Sequence, residues 1–146
     1  MYLTQGLHRA AQQNPNGVMT IFGDRQRTFA EVADRVARLA GALRGLGAGD
    51  GDRVAFLGLN SDHYHEYLLA VPWANAVLNP VNIRWSAAEI VYSLRDSDSK
   101  VLFVDDAFAK LLPEIRQGYP ELATVINTGD GPAPEGTLSY EELISG

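Results

Sequence analysis

The strongest constraint on the fold of this chain is a regular alternation that begins near residue 54. Short apolar runs recur about every two dozen residues, and segments with helical patterns separate them. The runs are Val54–Leu57, Ala76–Val81, Lys100–Val104 and Ala123–Ile126. Strands that alternate with helices of this length form right-handed βαβ units. The sequence therefore predicts an α/β fold, a three-layer, mostly parallel sheet with helices on both faces.

Polar residues suited to capping helix N-termini stand between these runs: Ser61, Ser86 with Glu89 three positions later, and Asp105. Their side chains can accept hydrogen bonds from the free N–H groups of a first helical turn. The first helix is expected to run to about Asn75, and the second to about Asp96. Pro72 falls inside the first of these helices, where it favours a kink or an early end.

The N-terminal part of the chain has a different pattern. Residues 18–29 contain two short β-prone runs around Gly23-Asp24, which predicts a small β-hairpin. Thr28 and Glu31 then form a capping box, and apolar residues recur at helical spacing as far as Leu46. We expect a long amphipathic helix that ends near the glycines at 45 and 47.

Composition limits the class of protein. The 146 residues suit a single core. The formal charge is −6, and the sequence has no cluster of Lys and Arg of the kind that a nucleic-acid partner requires. There is no cysteine, so disulfides and thiolate metal ligands are excluded. The N-terminus has no signal-peptide pattern, and the longest apolar stretch, 67–78, is too short to span a bilayer. We expect a cytoplasmic chain without a transmembrane segment.

Two groups of residues resemble ligand sites at first sight, but their positions favour structural roles. The glycine-rich stretch 45–51 follows a helix and precedes a strand, the reverse of a phosphate-binding loop. His63 and His65 point to nearly opposite faces of a helix, and His63 with Glu66 supplies too few ligands for zinc. We therefore predict no metal site, and we interpret these side chains as solvated residues of a helix face.

Catalytic groups are hard to find in this sequence. The carboxylates of Asp96, Asp98, Asp105 and Asp106 lie at predicted helix ends and turns, where capping and solubility explain them. No arrangement of Ser, His and acid supports a nucleophile. We predict no catalytic residue in this segment.

Asn82 and Arg84 are the candidates for lining a site. Both follow the strand that ends at Val81, at the carboxyl end where open α/β sheets bind their ligands. The alternative is structural: Asn82 stabilises a turn after Pro80, and Arg84 pairs with a nearby carboxylate or carbonyl.

A series of short motifs runs along most of the chain and is densest from 28 to 105. In order, they are Thr28-Phe-Ala-Glu-Val, Arg35-Val-Ala-Arg-Leu-Ala-Gly-Ala-Leu43, Leu46-Gly, Gly51-Asp-Arg-Val-Ala55, Asn60-Ser61, Ala76-Val-Leu-Asn-Pro-Val-Asn-Ile-Arg84, Ala88-Glu-Ile90, Asp96-Ser97 and Lys100-Val-Leu-Phe-Val104. Together they resemble the N-terminal segment of an AMP-binding acyl-CoA synthetase of the adenylate-forming family. Asn75 stands where the family usually has Gly, and Asn tolerates left-handed backbone angles.

The resemblance implies a function for a longer parent enzyme. Such enzymes use ATP, Mg²⁺ and coenzyme A to convert a carboxylic acid, here by expectation a fatty acid, to an acyl-adenylate and then to a thioester. The phosphate loop, the metal-binding motif and the C-terminal lysine of the family lie beyond the equivalent of residue 146. The resemblance thus implies that residues 1–146 form an N-terminal subdomain that binds no cofactor and is inactive alone.

The sequence leaves two alternatives open. One is the adenylation domain of a peptide synthetase or an aryl-acid ligase, whose N-terminal segments look alike. The other is a free-standing α/β binding or regulatory module. Because a helical pattern has only begun at Ser139 when the chain ends, we expect a fragment whose partner is the remainder of its own enzyme. Uncovered apolar surface should make the isolated chain self-associate, as a homodimer or in another form of self-association.

Overall fold

A computed structural model describes residues 5–145 and contains six α-helices and seven strands within them. The helices are α1 (Gln5–Gln13), α2 (Phe29–Gly45), α3 (Asp62–Trp73), α4 (Ala87–Ser97), α5 (Leu112–Gly118) and α6 (Tyr140–Ser145). The strands are β1 (Val18–Phe22), β2 (Arg25–Thr28), β3 (Arg53–Leu57), β4 (Val77–Pro80), β5 (Val101–Val104), β6 (Thr124–Asn127) and β7 (Leu138–Ser139). A short 3₁₀ turn, Ala109–Leu111, precedes α5.

The main sheet has five strands in the order β4-β3-β5-β6-β7, and every neighbouring pair is parallel. The strands β1 and β2 form a separate antiparallel hairpin. These findings confirm the predicted α/β class, the parallel sheet and the hairpin. The strand β7 was not predicted, because two residues within a Gly- and Pro-rich stretch carry no recognisable strand pattern.

Alternate residues of the central strands pack into two cores, one on each face of the sheet. On the first face Phe56 and Phe103 stack, with ring centroids 5.6 Å apart, and the apolar sides of α2, α3 and α6 cover them. On the second face Leu57 and Leu102 pack against α4 and α5. The strand β5 is buried along its whole length, as expected of a strand covered on both faces.

Local signals place the helix ends correctly in most cases. The capping boxes at Thr28 and Ser86 are both formed, and Ser61 accepts a hydrogen bond from the Tyr64 N–H. The helix α3 ends at Trp73, directly after Pro72, in agreement with the expected early end. Asn75 then adopts a left-handed backbone with φ 64°.

The expected cap at Asp105 is wrong. Its carboxylate accepts the N–H groups of Leu59 and Ala107, at 2.8 and 3.0 Å, and α5 begins seven residues later without a side-chain cap. Capping by Asp105 would need a helix at the next residue, whereas the chain first makes a turn and a 3₁₀ segment. The helix α1 was also missed, since its strong amphipathic character is carried by few apolar residues.

The hydroxyl of Tyr67 joins two strands of the main sheet. Tyr67 is fully buried, donates a hydrogen bond to the Val54 carbonyl at 2.6 Å and accepts one from the Asn79 N–H at 3.1 Å. A side chain of α3 thereby links β3 to β4, which is the edge strand. Pro80, at the end of β4, has no N–H to offer a further strand, and this disfavours edge-to-edge pairing there.

Candidate functional site

The topology of the main sheet creates a crevice at its carboxyl edge. From β3 the chain passes through α3 to β4, which lies on one side of β3 in the sheet. The strand β5 lies on the other side of β3, and the helix α5 that follows it packs on the opposite face of the sheet from α3. The loops after β3 and β5 therefore diverge. In open α/β sheets this switch point is where ligands bind.

A depression of about 380 Å³ lies at this point, and we call it the carboxyl-edge crevice. Its walls come from the loops that follow β3, β5 and β6, and from the hairpin. The lining residues are Phe22, Arg25, Leu59, Asn60, Ser61, His63, Asp105, Asp106, Ala107, Thr128, Gly129 and Asp130. Carboxylates thus outnumber cationic side chains in the crevice.

Most hydrogen-bonding groups of the crevice are engaged within the protein. Asp105 ties the loop after β5 to the loop after β3 through the Leu59 N–H. Ser61 caps α3, and the Thr128 hydroxyl donates to the Val104 carbonyl at 3.4 Å. None of these groups is set beside a general base in the way that a nucleophile requires. Within residues 5–145, these hydrogen bonds hold the loops of the crevice together.

A buried ionic cluster lies beside the crevice and joins four parts of the chain. Asp62, at the start of α3, is 3% exposed and accepts hydrogen bonds from Arg25, at 2.9 Å, and from Arg27. These two arginines come from the hairpin strand β2. The cluster therefore fixes the hairpin against the N-terminus of α3.

The other half of the cluster joins α2, α3 and α6. Arg35 binds Glu66 at 2.7 and 3.1 Å and Glu141 at 2.8 and 2.9 Å, so one guanidinium holds two carboxylates. The Tyr140 hydroxyl donates to Glu66 at 2.8 Å. His63 Nε2 lies 3.2 Å from Glu141 Oε1. We define the buried ionic cluster by its eight members: Arg25, Arg27, Arg35, Asp62, His63, Glu66, Tyr140 and Glu141.

The cluster shifts the ionisation of its members. The hydrogen bond from His63, together with that from Arg35, holds the pKa of Glu141 well below its usual range. Burial, with Glu66 close by, raises the pKa of Tyr140 well above its usual value. Burial acts to lower the pKa of Arg35, but Glu141 and Glu66 outweigh it and raise that pKa. The charged forms of Arg35 and Glu141 are therefore the stable ones.

The interpretation of the α3 residues as a solvated face is wrong for two of the three. His63 and Glu66 are 3% and 1% exposed, whereas His65 is exposed. The physical reason is that arginines from α2 and β2 pair with the acidic side of α3. Burial of these carboxylates therefore leaves no charge without a partner. Among residues 5–145, no group of three or more His, Asp or Glu side chains is arranged to hold a metal ion.

Asn82 and Arg84 lie on the loop after β4, at the same edge of the sheet but outside the lining of the crevice. The Asn82 side chain accepts the Arg84 N–H at 2.9 Å, which is the turn role expected of it. Both side chains are exposed. The structure does not bring them together with the buried ionic cluster.

Sequence reasoning missed the partners Arg25, Arg27 and Asp62. A usable signal exists, because two arginines two positions apart lie on one face of a strand. Asp62 and Glu66 are four positions apart and share one side of a helix. These spacings indicate one basic face and one acidic face, but they do not show that the two faces meet.

Comparisons with known proteins agree with this architecture. The profile of the family described as "AMP-binding enzyme" matches residues 7–144. The long-chain-fatty-acid–CoA ligase of Thermus thermophilus is 46% identical over 119 residues, which cover 80% of this chain and 21% of that protein. The peroxisomal butyrate–CoA ligase AAE11 of Arabidopsis thaliana is 38% identical over 147 residues, with coverages of 94% and 26%. The chain thus spans between a fifth and about a quarter of these relatives.

A solved structure shows the same fold. The anthranilate–CoA ligase AuaEII, crystallised with anthranoyl-AMP, superimposes with a TM-score of 0.92 and 29% identity, over 99% of this chain and 28% of that one. No helix within residues 5–145 is both long and apolar enough to cross a membrane. Because the family profile covers nearly the whole chain, the protein belongs to the AMP-binding enzyme family.

Proposed function

We propose that this chain is the N-terminal part of an acid–CoA ligase, which activates a carboxylic acid with ATP and passes the acyl group to coenzyme A. The observation that carries the proposal is the family match over residues 7–144. The relatives named above as ligases of long-chain fatty acids and butyrate support the reaction class.

A fatty acid is the proposed substrate. The support is the 46% identity to the Thermus thermophilus long-chain-fatty-acid–CoA ligase, and the 34% identity to a fatty acid–[acyl-carrier-protein] ligase of Streptomyces coeruleorubidus. An aryl acid is the second candidate, since the peroxisomal benzoate–CoA ligase of Arabidopsis thaliana is 38% identical over 108 residues.

The role proposed for residues 1–146 is structural. Its parallel sheet and buried ionic cluster form one wall of the enzyme, and most polar groups of the carboxyl-edge crevice bond within that wall. The sequence has no phosphate loop of the GxxxxGK[ST] type, and residues 5–145 hold no group of three or more His, Asp or Glu side chains arranged for a metal ion. ATP, Mg²⁺ and coenzyme A are proposed to bind elsewhere on the parent enzyme.

Three finer features belong to the same proposal. Asn82 and Arg84 line the substrate side of the wall, where the exposed Arg84 guanidinium offers a cation at the carboxyl edge of the sheet. The parent enzyme is cytoplasmic. The isolated chain forms a homodimer through apolar surface that the remainder of the enzyme covers.

The test is thioester formation by the product of the complete reading frame that encodes residues 1–146. Thioester should form from a long-chain fatty acid, ATP and coenzyme A, and pyrophosphate should be released. Benzoate as the preferred acid would favour the aryl-acid alternative. Absence of acid-dependent pyrophosphate release with every acid would refute the ligase function.

A further inference from the structure

The carboxyl edge of the sheet carries large apolar side chains that are exposed. Phe22, Leu59 and Ile83 are 42%, 51% and 39% exposed, and they come from the hairpin and from the loops after β3 and β4. Phe22 and Leu59 stand on the rim of the carboxyl-edge crevice. Apolar residues gathered from separate elements around a crevice are typical of a surface that another part of a protein covers.

The crevice is poorly equipped for a small polar ligand. Ser61, Asp105 and Thr128 already form hydrogen bonds within the protein, and His63 faces Glu141. What the crevice still offers an occupant is apolar contact at its rim and negative charge. These features suit a polypeptide segment that packs side chains into it.

The charge balance indicates the chemistry of that segment. Arg25, the guanidinium in the lining, is bound to Asp62 and to Asp130, at 2.9 and 2.6 Å. Asp105 and the exposed Asp106 then leave the crevice with net negative charge. A complementary occupant carries Lys or Arg beside an apolar side chain.

We propose that the carboxyl-edge crevice docks a basic, apolar segment from the rest of the ligase. This inference rests on the proposed function and names the partner of the wall described there. The match to AuaEII covers only 28% of that enzyme, so most of a ligase of that length lies outside the fold described above.

The experiment uses the product of the complete reading frame that encodes residues 1–146. Phe22 is replaced by the photo-crosslinking amino acid p-benzoylphenylalanine, and crosslinked peptides are identified by mass spectrometry. The matched control places the same group at Tyr92, an aromatic residue of α4 that is 72% exposed and lies outside the crevice. We expect position 22 to crosslink within one molecule to a basic, apolar peptide outside residues 1–146, and position 92 to crosslink far less.

Two further substitutions test the apolar and the charged components of docking. Leu59→Gln keeps the backbone bond to Asp105 and leaves the charge of the crevice unchanged, and it should lower the crosslink yield from position 22 about tenfold, because a polar group placed in an apolar contact costs about that factor in affinity. Asp106→Lys should lower it as well, whereas Asp96→Lys, on the exposed face of α4, should not.

The outcomes separate this inference from the ligase function. Equal crosslinking from positions 22 and 92, or crosslinks from position 22 only between two molecules, would overturn the docking proposal. Thioester formation by the same full-length protein is measured independently. An active protein without the crosslink rejects the docking alone, and an inactive protein with the crosslink supports the docking and counts against the ligase function.

Discussion

Replacing Tyr67 with Phe tests how the edge of the main sheet is held. The Tyr67 hydroxyl lies between the Val54 carbonyl and the Asn79 N–H and bonds to both. Phe retains the ring and its contact with Phe56, whose centroid lies 5.0 Å away. The substitution therefore removes the hydrogen bonds and little of the apolar packing.

The magnitude follows from the groups that lose their partner. A buried polar group left unsatisfied costs about 1–3 kcal/mol, and here one carbonyl and one half-buried N–H are affected. Some relaxation between β3 and β4 will recover part of that cost. We expect the free energy of unfolding to fall by about 2 kcal/mol, which for a domain of this size lowers the Tm by about 4–8 °C.

The assay is urea unfolding followed by circular dichroism, together with amide hydrogen exchange at Asn79. The matched control is Tyr64→Phe, because the Tyr64 ring also packs against Phe56, at 4.6 Å, while its hydroxyl has no hydrogen bond to any residue within 5–145. The control should change stability by less than about 0.5 kcal/mol. Equal effects of the two substitutions, with unchanged protection of the Asn79 amide, would refute the bridging role of Tyr67.

Four further predictions concern the buried ionic cluster and the chain as a whole. Arg35→Met should destabilise the protein by about 3–5 kcal/mol in urea unfolding, because it strands the buried carboxylate of Glu66, whereas Arg38→Met, in an exposed pair, should cost less than about 1 kcal/mol. The lowered pKa of Glu141 means that its carboxylate stabilises the fold above its ordinary pKa of 4.5 and that this contribution is lost as the pH falls below it. The stability difference between wild type and Glu141→Gln should therefore shrink in acid, and a difference independent of pH would contradict the assignment. The purified 146-residue chain should show no acid-dependent exchange between ATP and pyrophosphate, and exchange proportional to its concentration through further purification would overturn that expectation. Sedimentation equilibrium should detect a dimer, and a monomer at high micromolar concentration would favour a free-standing module.

The sequence predicts the layer architecture well because the signals for it are local. Each strand that it predicts in the main sheet is a short apolar run, and Ser61 and Ser86 mark helix starts by a side chain that acts within three residues. The left-handed turn at Asn75 is also a local feature, because Asn is one of the few residue types that adopt this backbone conformation. Features fixed by a few neighbouring residues leave a pattern that can be recognised.

Features fixed by distant contacts leave no such pattern. Asp105 fits the pattern of a helix cap, yet its strongest contact is with Leu59, which is 46 residues earlier in the chain. Similarly, Glu66 has the character of a solvated residue until Arg35 and Tyr140 are brought to it by folding. An amphipathic pattern assigns charged residues to the solvent side, so it fails wherever two charged faces meet.

The buried ionic cluster is formed by residues that are distant in the sequence, and it fixes the position of the hairpin at the proposed docking surface. Hydrophobic packing is non-directional, and the hairpin could cover the first core in more than one orientation. The bonds from Arg25 and Arg27 to Asp62 select one orientation, because they require β2 to approach the N-terminus of α3. Phe22 lies on the neighbouring strand of the same hairpin, and this orientation places it beside Leu59 on the rim of the crevice. We infer that the cluster serves specificity more than stability: replacing its ions with apolar residues would preserve a core, but it would remove the constraint that builds the crevice.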